Sequence, residues 1–111
     1  HALRPLLADD EVGQLWVLDQ ASSLTGYVVV TWGYSLESGG RDVVLDEIYV
    51  AEQGRGLGGT LLEHAVHEAE TAAARVVFLE TEVDNERARS FYRRHGFAAE
   101  ASVWMRRALA D

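Results

Sequence analysis

Four glycines fall within six residues, at Gly54, Gly56, Gly58 and Gly59, where the chain passes from the apolar run Ile48-Tyr49-Val50 into a helical pattern that starts near Leu57. Glycine tolerates turn angles that other residues avoid and lets a ligand come close to the backbone. The first turn of a helix presents amide N–H groups with no partner inside the helix. Together with the positive end of the helix dipole, those donors suit phosphate. The stretch from Tyr49 to Leu62 therefore reads as a strand, a bend and a helix start that can cradle a pyrophosphate.

The surrounding chain must form one domain, residues 1–111, large enough for one modest core. No apolar stretch approaches the roughly 20 residues needed to cross a bilayer. With no cysteine there is no disulfide, thiolate nucleophile or Cys-based zinc site. A cytoplasmic setting follows by default, with no membrane partner. The net charge of −8 argues against nucleic acid as a partner and suits a cationic ligand such as an amine. The chain opens at His1 rather than Met, so a leading segment is expected to be missing.

In chain order, residues 2–8 read as the tail of a helix, and Asp9-Asp10-Glu11 as a polar break. Residues 14–19 hold a strand-length apolar run, and Ser22-Ser23 marks a turn. Residues 26–36 are rich in Val, Thr, Trp and Tyr, as strands are. Residues 37–41 form a hairpin loop and 42–51 the third strand of an antiparallel meander. Leu57, Leu61, Ala65 and Ala69, with Leu62, Val66 and Ala73, mark one apolar face of a long helix. Residues 75–82 begin with Val76-Val77-Phe78-Leu79, as a central parallel strand would. That completes a strand–helix–strand crossover. Asp84 or Asn85 caps a further helix, Ala88, Phe91, Tyr92 and His95 share a face of it, and Gly96 ends it. Residues 97–101 and 103–109 are read as two last strands. Trp16, Trp32 and Trp104 are assigned to strands, as core or interface residues, and His64 and His67 to the surface.

Three glycine patterns compete for the bend. A Walker-type loop needs a lysine, and the chain has none: all ten basic residues are arginines. Gly54-Arg55-Gly56-Leu57-Gly58-Gly59 does satisfy the dinucleotide fingerprint G-x-G-x-x-G, with Glu80 about 20 residues on. Against it, Ala51-Glu52-Gln53 separates the apolar strand from the first glycine, and the chain is too short for a second mononucleotide-binding half. The third pattern is Gln53-Gly54-Arg55-Gly56-Leu57-Gly58, of the form Q/R-x-x-G-x-G/A. It resembles the acyl-CoA-binding motif of the GNAT superfamily of acetyl-CoA-dependent N-acetyltransferases. Asn85 to Phe97 resembles that family's N-x-x-A-x-x-F-Y-x-x-x-G-F helix. Two motifs in this order, with a helix and a strand between them, are far more specific than either alone. The resemblance covers residues 14–109, and Asp46-Glu47-Ile48-Tyr49-Val50 is particularly similar to small-amine acetyltransferases.

The resemblance implies an α/β fold with a mixed, mostly antiparallel sheet, a parallel strand–helix–strand crossover and helices packed on it. Its usual N-terminal strand and helices are expected to be largely absent. It implies that the amides of Gly56, Leu57, Gly58, Gly59 and Thr60 bind the CoA pyrophosphate, with Gln53, Gly54 and Arg55 shaping the loop. Arg55 is either a phosphate ligand or a solvated surface residue. The pantetheine arm would run along Ile48, Tyr49 and Val50, with Asn85, Ala88, Phe91 and Tyr92 on its other side, and no metal is implied. Asn85 is equally well read as a helix cap.

A primary amine of pKa about 10.4 is neutral in only about one molecule in 2,500 at pH 7, a deficit of about 4.6 kcal/mol. Carboxylates beside the acceptor offset this by holding the cation and relaying its proton. Glu47 and Asp46 are the catalytic candidates, ahead of Glu80 and Glu82, and strand alternation puts Glu47 and Asp46 on opposite faces. A backbone N–H near Tyr49 or Val50 would hold the oxyanion. By resemblance Tyr92 serves the leaving thiolate, and hydrogen bonding suits it better than full proton transfer, which is uphill by about 2 kcal/mol from an unperturbed phenol. The expected activity is direct acetyl transfer from acetyl-CoA to an amine of a small molecule or protein. The alternatives are an acyl-CoA-binding regulatory module without turnover, and a chain completed by a further segment or a homodimer partner.

Overall fold

The computed structural model describes residues 2–9, 13–20, 23–35 and 39–110, with the chain divided into two compact units, residues 1–80 and 81–111. In the first unit, β1 (Ala2–Asp9), β2 (Gly13–Gln20), β3 (Ser23–Ser35) and β4 (Gly40–Val50) form an antiparallel meander. Helix α1 (Leu57–Thr71) follows, and β5 (Val76–Phe78) pairs parallel with β4. The sheet order is β1-β2-β3-β4-β5.

Residues 2–8 are thus a strand and not the tail of a helix. Their Leu, Ala and Arg content favours helix locally, but antiparallel pairing to β2 decides the outcome. Pro5 fits because β1 is at the sheet margin, where a missing amide is tolerated, and the register shifts between Pro5 and Leu7. Ser22 of the expected turn, Leu36 at the end of the expected strand, Glu37 and Ser38 of the expected hairpin loop, and Asp10 and Glu11 of the expected break lie outside the described residues, while Asp9 belongs to β1. Ser23 already belongs to β3, and Gly40 and Arg41 to β4.

The core of this unit lies between α1 and one face of β3 and β4. Leu57, Leu61, Leu62, Ala65 and Ala69 of α1 are buried, together with Val28, Val30, Val43 and Leu45. Burying each large aliphatic side chain contributes roughly 1.5–3 kcal/mol. Gly26 permits the contact: a Cβ there would stand 2.9 Å from Leu61 Cδ1 and 2.7 Å from the Tyr49 carbonyl oxygen. Because β3 alternates, Gly26, Val28 and Val30 face α1, while Tyr27, Val29 and Thr31 face away.

β5 is shorter than expected and sits at the end of the sheet order, not between two strands. Its pairing to β4 runs only from Asp42↔Val76 to Val44↔Phe78. Glu80 and Glu82, expected to end it, lie beyond it in irregular chain.

In the second unit α2 (Glu86–Arg94) is capped by Asn85, whose side-chain oxygen accepts from the Ala88 amide at 3.1 Å. Gly96 ends the helix at φ +88°, where its lack of a Cβ removes the strain of a left-handed turn. The Phe97 amide then donates to the Tyr92 carbonyl at 3.1 Å. Residues 97–110 form no strand, contrary to expectation. A β-prone sequence becomes a strand only where a ladder partner takes its backbone groups, and these residues have none among the described residues. Trp104 accordingly lies on no strand and is exposed.

Candidate functional site

The bend between β4 and α1 is built from both ends. The Ala51 amide donates to the Thr25 carbonyl at 2.9 Å, and the Thr25 hydroxyl donates to the Leu18 carbonyl at 2.7 Å. These bonds tie the loop entry to β3 and β2. Gly54 and Gly56 then adopt φ of +84° and +73°, both left-handed, and a Cβ on either would meet nothing within 4 Å. Backbone angle and open space together make the bend a place where another molecule can approach the main chain.

Gly56 caps α1, with no side-chain hydrogen bond to the cap and no acidic residue in the first turn. Thr60 is committed to the helix, its amide and hydroxyl both donating to the Gly56 carbonyl at 3.2 Å. That leaves the Leu57, Gly58 and Gly59 amides as the first-turn donors without a partner inside the helix. The dipole adds roughly half a positive charge at this end. Arg55 pairs with Glu52 at 3.0 Å, both exposed, so the loop's guanidinium is engaged across the bend.

Along β4 the ladder to β5 stops at Val44, so on that side Leu45–Val50 has no strand partner among the described residues. Ile48, Tyr49 and Val50 therefore border an open stretch of backbone that leads into the glycine bend.

The carboxylates depart from the sequence reading. Val29 pairs with Glu47 and Val30 with Leu45, which makes Asp46 the extra residue of a β-bulge. Leu45 is buried and Ile48 half-buried on the α1 side, while Asp46 and Glu47 are both exposed. Strand alternation is suspended at a bulge, so the two carboxylates share one face, away from α1. Two residues of β3 on that face confirm it: the Thr31 hydroxyl donates to Asp46 Oδ2, and the Tyr27 hydroxyl donates to Glu47 Oε2 at 2.6 Å. The Tyr27 ring also stacks on Tyr49, with centroids 5.3 Å apart. The hydrogen bond to Glu47 raises the Tyr27 pKa above the usual phenol value.

In the second unit, Ala88, Phe91, Tyr92 and His95 are half-buried along α2. Phe91 packs edge-on to Tyr92 at 5.1 Å and lies 5.0 Å from His95, and Tyr92 meets Phe97 at 5.9 Å. Burial raises the Tyr92 pKa, so its hydroxyl is a durable donor rather than a ready acid. The Asn85 cap uses the side-chain oxygen and leaves its NH2 outside the cap. Glu86 opens the helix and Arg93 and Arg94 close it, complementing its dipole. Arg93 also hydrogen-bonds Glu86, which lowers the Glu86 pKa.

Sequence reasoning missed Tyr27 and Thr31. The period of two on β3 marks them as one face, but only the register shows that this face carries both carboxylates. His64 is half-buried, not a surface residue, with its ring edge-on to Trp16 at 5.1 Å. No group of three or more metal-ligating side chains occurs among the described residues. A separate cleft of about 290 Å³ lies at the other end of α1, lined by Gln14, Trp32, Arg41, Glu68, Thr71 and Ala72.

A glycine bend thus runs from a sheet strand into a helix that starts without a side-chain cap, and one flank of that strand has no strand partner among the described residues. The chain belongs to the GNAT acetyltransferase family, whose model matches residues 2–97. Solved structures agree. An integron cassette protein from the mobile metagenome of Cole Harbour Salt Marsh superposes with a TM-score of 0.80 at 27% identity, over 93% of this chain and 64% of that one. A probable acetyltransferase gives 0.79 at 27% identity, over 92% of this chain and 71% of that one. The ribosomal-protein-alanine N-acetyltransferase of Brucella melitensis biovar Abortus 2308 gives 0.74 at 22% identity, over 90% and 74%, a likeness of fold. This chain thus spans about two thirds of the length of the first of these structures. The comparison with curated proteins returned no match.

Proposed function

We propose that the chain is an N-acetyltransferase that takes its acetyl group from acetyl-CoA and passes it directly to an amine of a small molecule or peptide. The reading rests above all on the bend. Left-handed Gly54 and Gly56 leave open space beside the backbone, and α1 starts without a side-chain cap or an acidic residue. Leu57, Gly58 and Gly59 then donate their amides to the CoA diphosphate. The free flank of β4 at Ile48–Val50 takes the pantetheine arm through backbone hydrogen bonds, and acetyl-CoA supplies the thioester carbonyl.

Glu47, with Asp46 beside it, holds the acceptor as a cation and accepts its proton for relay to water. A backbone N–H of Tyr49 or Val50 donates to the carbonyl oxygen as negative charge develops there. Tyr92 donates a hydrogen bond to the departing sulfur; its raised pKa suits that role better than complete proton transfer.

Melting of the purified chain with and without CoA, followed by an amine panel read by thiol release, tests the reading. CoA should raise the melting point, and at least one amine should release thiol from acetyl-CoA. An unmoved melting point together with no thiol release removes the assignment. Stabilisation by CoA without turnover of any amine would instead mark a module that binds acyl-CoA. In an enzyme, Tyr92→Phe should lower kcat by about ten-fold or more while CoA stabilisation changes little.

A further inference from the structure

Glu47 ends a flexible side chain on an exposed stretch of β4, yet one of its oxygens is held. The holder is a residue on a different strand, fixed on both sides by the ladder: Tyr27 pairs with Val17 of β2 and with Tyr49 of β4. Its ring cannot turn freely, because it stacks on Tyr49 at 5.3 Å with an interplanar angle of 30°. Its hydroxyl reaches Glu47 Oε2 at 2.6 Å, the length of a strong bond to a charged acceptor.

We propose that Tyr27 is the positioning residue for Glu47: it fixes Oε2, so that Oε1 is presented to the acceptor ammonium in one orientation. This rests on the proposed role of Glu47 in acetyl transfer. A carboxylate that turns freely meets the amine in many geometries, most of them unproductive, whereas a held one meets it in few. Phenol suits the task because it remains a donor throughout the neutral range, and the bond to Glu47 extends that range upward. Among the described residues, register and alternation also put on this face Asp46, bonded to Thr31, with Asp42 and Tyr49 of β4 and Asp19 of β2. On β2 the register partner of Tyr27 is the apolar Val17, and Arg4 of β1 occupies the next register position.

Tyr27→Phe keeps the stacked ring and removes only the donor. With acetyl-CoA and an amine that turns over, kcat/KM for the amine should fall about ten-fold or more, while KM for acetyl-CoA and the melting point stay close to wild type. In a Glu47→Gln background the same change should have little further effect. An unchanged amine kcat/KM in active Tyr27→Phe enzyme overturns the proposal and leaves the acetyltransferase reading intact. A second readout needs no turnover: spectrophotometric titration of the tyrosines should show one phenol returning toward its ordinary pKa in Glu47→Gln. If that titration does not change, the contact is absent in solution and the proposal falls. If it changes but no amine is acetylated, the contact stands while the acetyltransferase reading fails, and the positioning role fails with it.

Discussion

His64 carries the most testable single-residue property of the protein. Among the described residues its Nε2 is buried without a hydrogen bond, and the Glu68 carboxylate oxygen, 3.9 Å away, is too far to bond. Burial lowers its pKa; Glu68 opposes that shift and His67 adds to it. The folded chain therefore binds this proton less readily than the unfolded chain. Stability rises with pH wherever the unfolded state holds more protons, so this contribution is complete above the ordinary histidine pKa of about 6.5 and is lost as the pH falls through and below it. The expected outcome is a melting point that drops between pH 7.5 and pH 5.5, with a smaller drop in His64→Leu. From the sequence, His64 and His67 were placed on the surface because no third ligand matched them as a metal pair. What it could not supply was the position of Trp16, whose ring meets His64 edge-on from β2. Tyr92, in contrast, lies on the helix its motif implies, and the structure adds the burial that raises its pKa.

At the scale of elements, the packing of α1 on β3 and β4 depends on the absence of one side chain. At Gly26 a Cβ would lie 2.7 Å from the Tyr49 carbonyl oxygen and 2.9 Å from Leu61 Cδ1. One of these neighbours is backbone and cannot yield cheaply. Gly26→Ala should therefore destabilise the chain by about 1–3 kcal/mol, measured by urea unfolding, the usual range for an overpacked core. Because Tyr49 lies on β4 just before the bend, the same substitution should also weaken CoA stabilisation. Helix α1 was readable because its apolar spacing and its glycine start point the same way. Strand β1 was not, since Leu3, Arg4, Leu6 and Leu7 favour helix, and only pairing with β2 overrides them. Residues 97–110 failed in the opposite direction: their sequence suits a strand, but strand formation depends on partners that local sequence does not encode.

At the scale of the whole molecule, the features that carry the proposed chemistry were readable in different degrees. The glycine bend and the α2 helix were fixed by short-range rules of turn geometry and capping. The facing of the carboxylates was not, because a bulge is a property of two strands in register, and β4 alone gives no sign of it. That bulge has a consequence for how much change the sheet tolerates. Losing a residue from a regular strand turns every later side chain to the wrong side. Asp46 is different: without it, Leu45, Glu47, Ile48, Tyr49 and Val50 would simply alternate, with Leu45, Ile48 and Val50 inward as now. A chain lacking Asp46 should fold with near-native circular dichroism and a cooperative melt, whereas one lacking Val44, which pairs regularly with Thr31, should not. Position 46 is surplus to the ladder, so what it adds to the protein is a second acid group, not a rung.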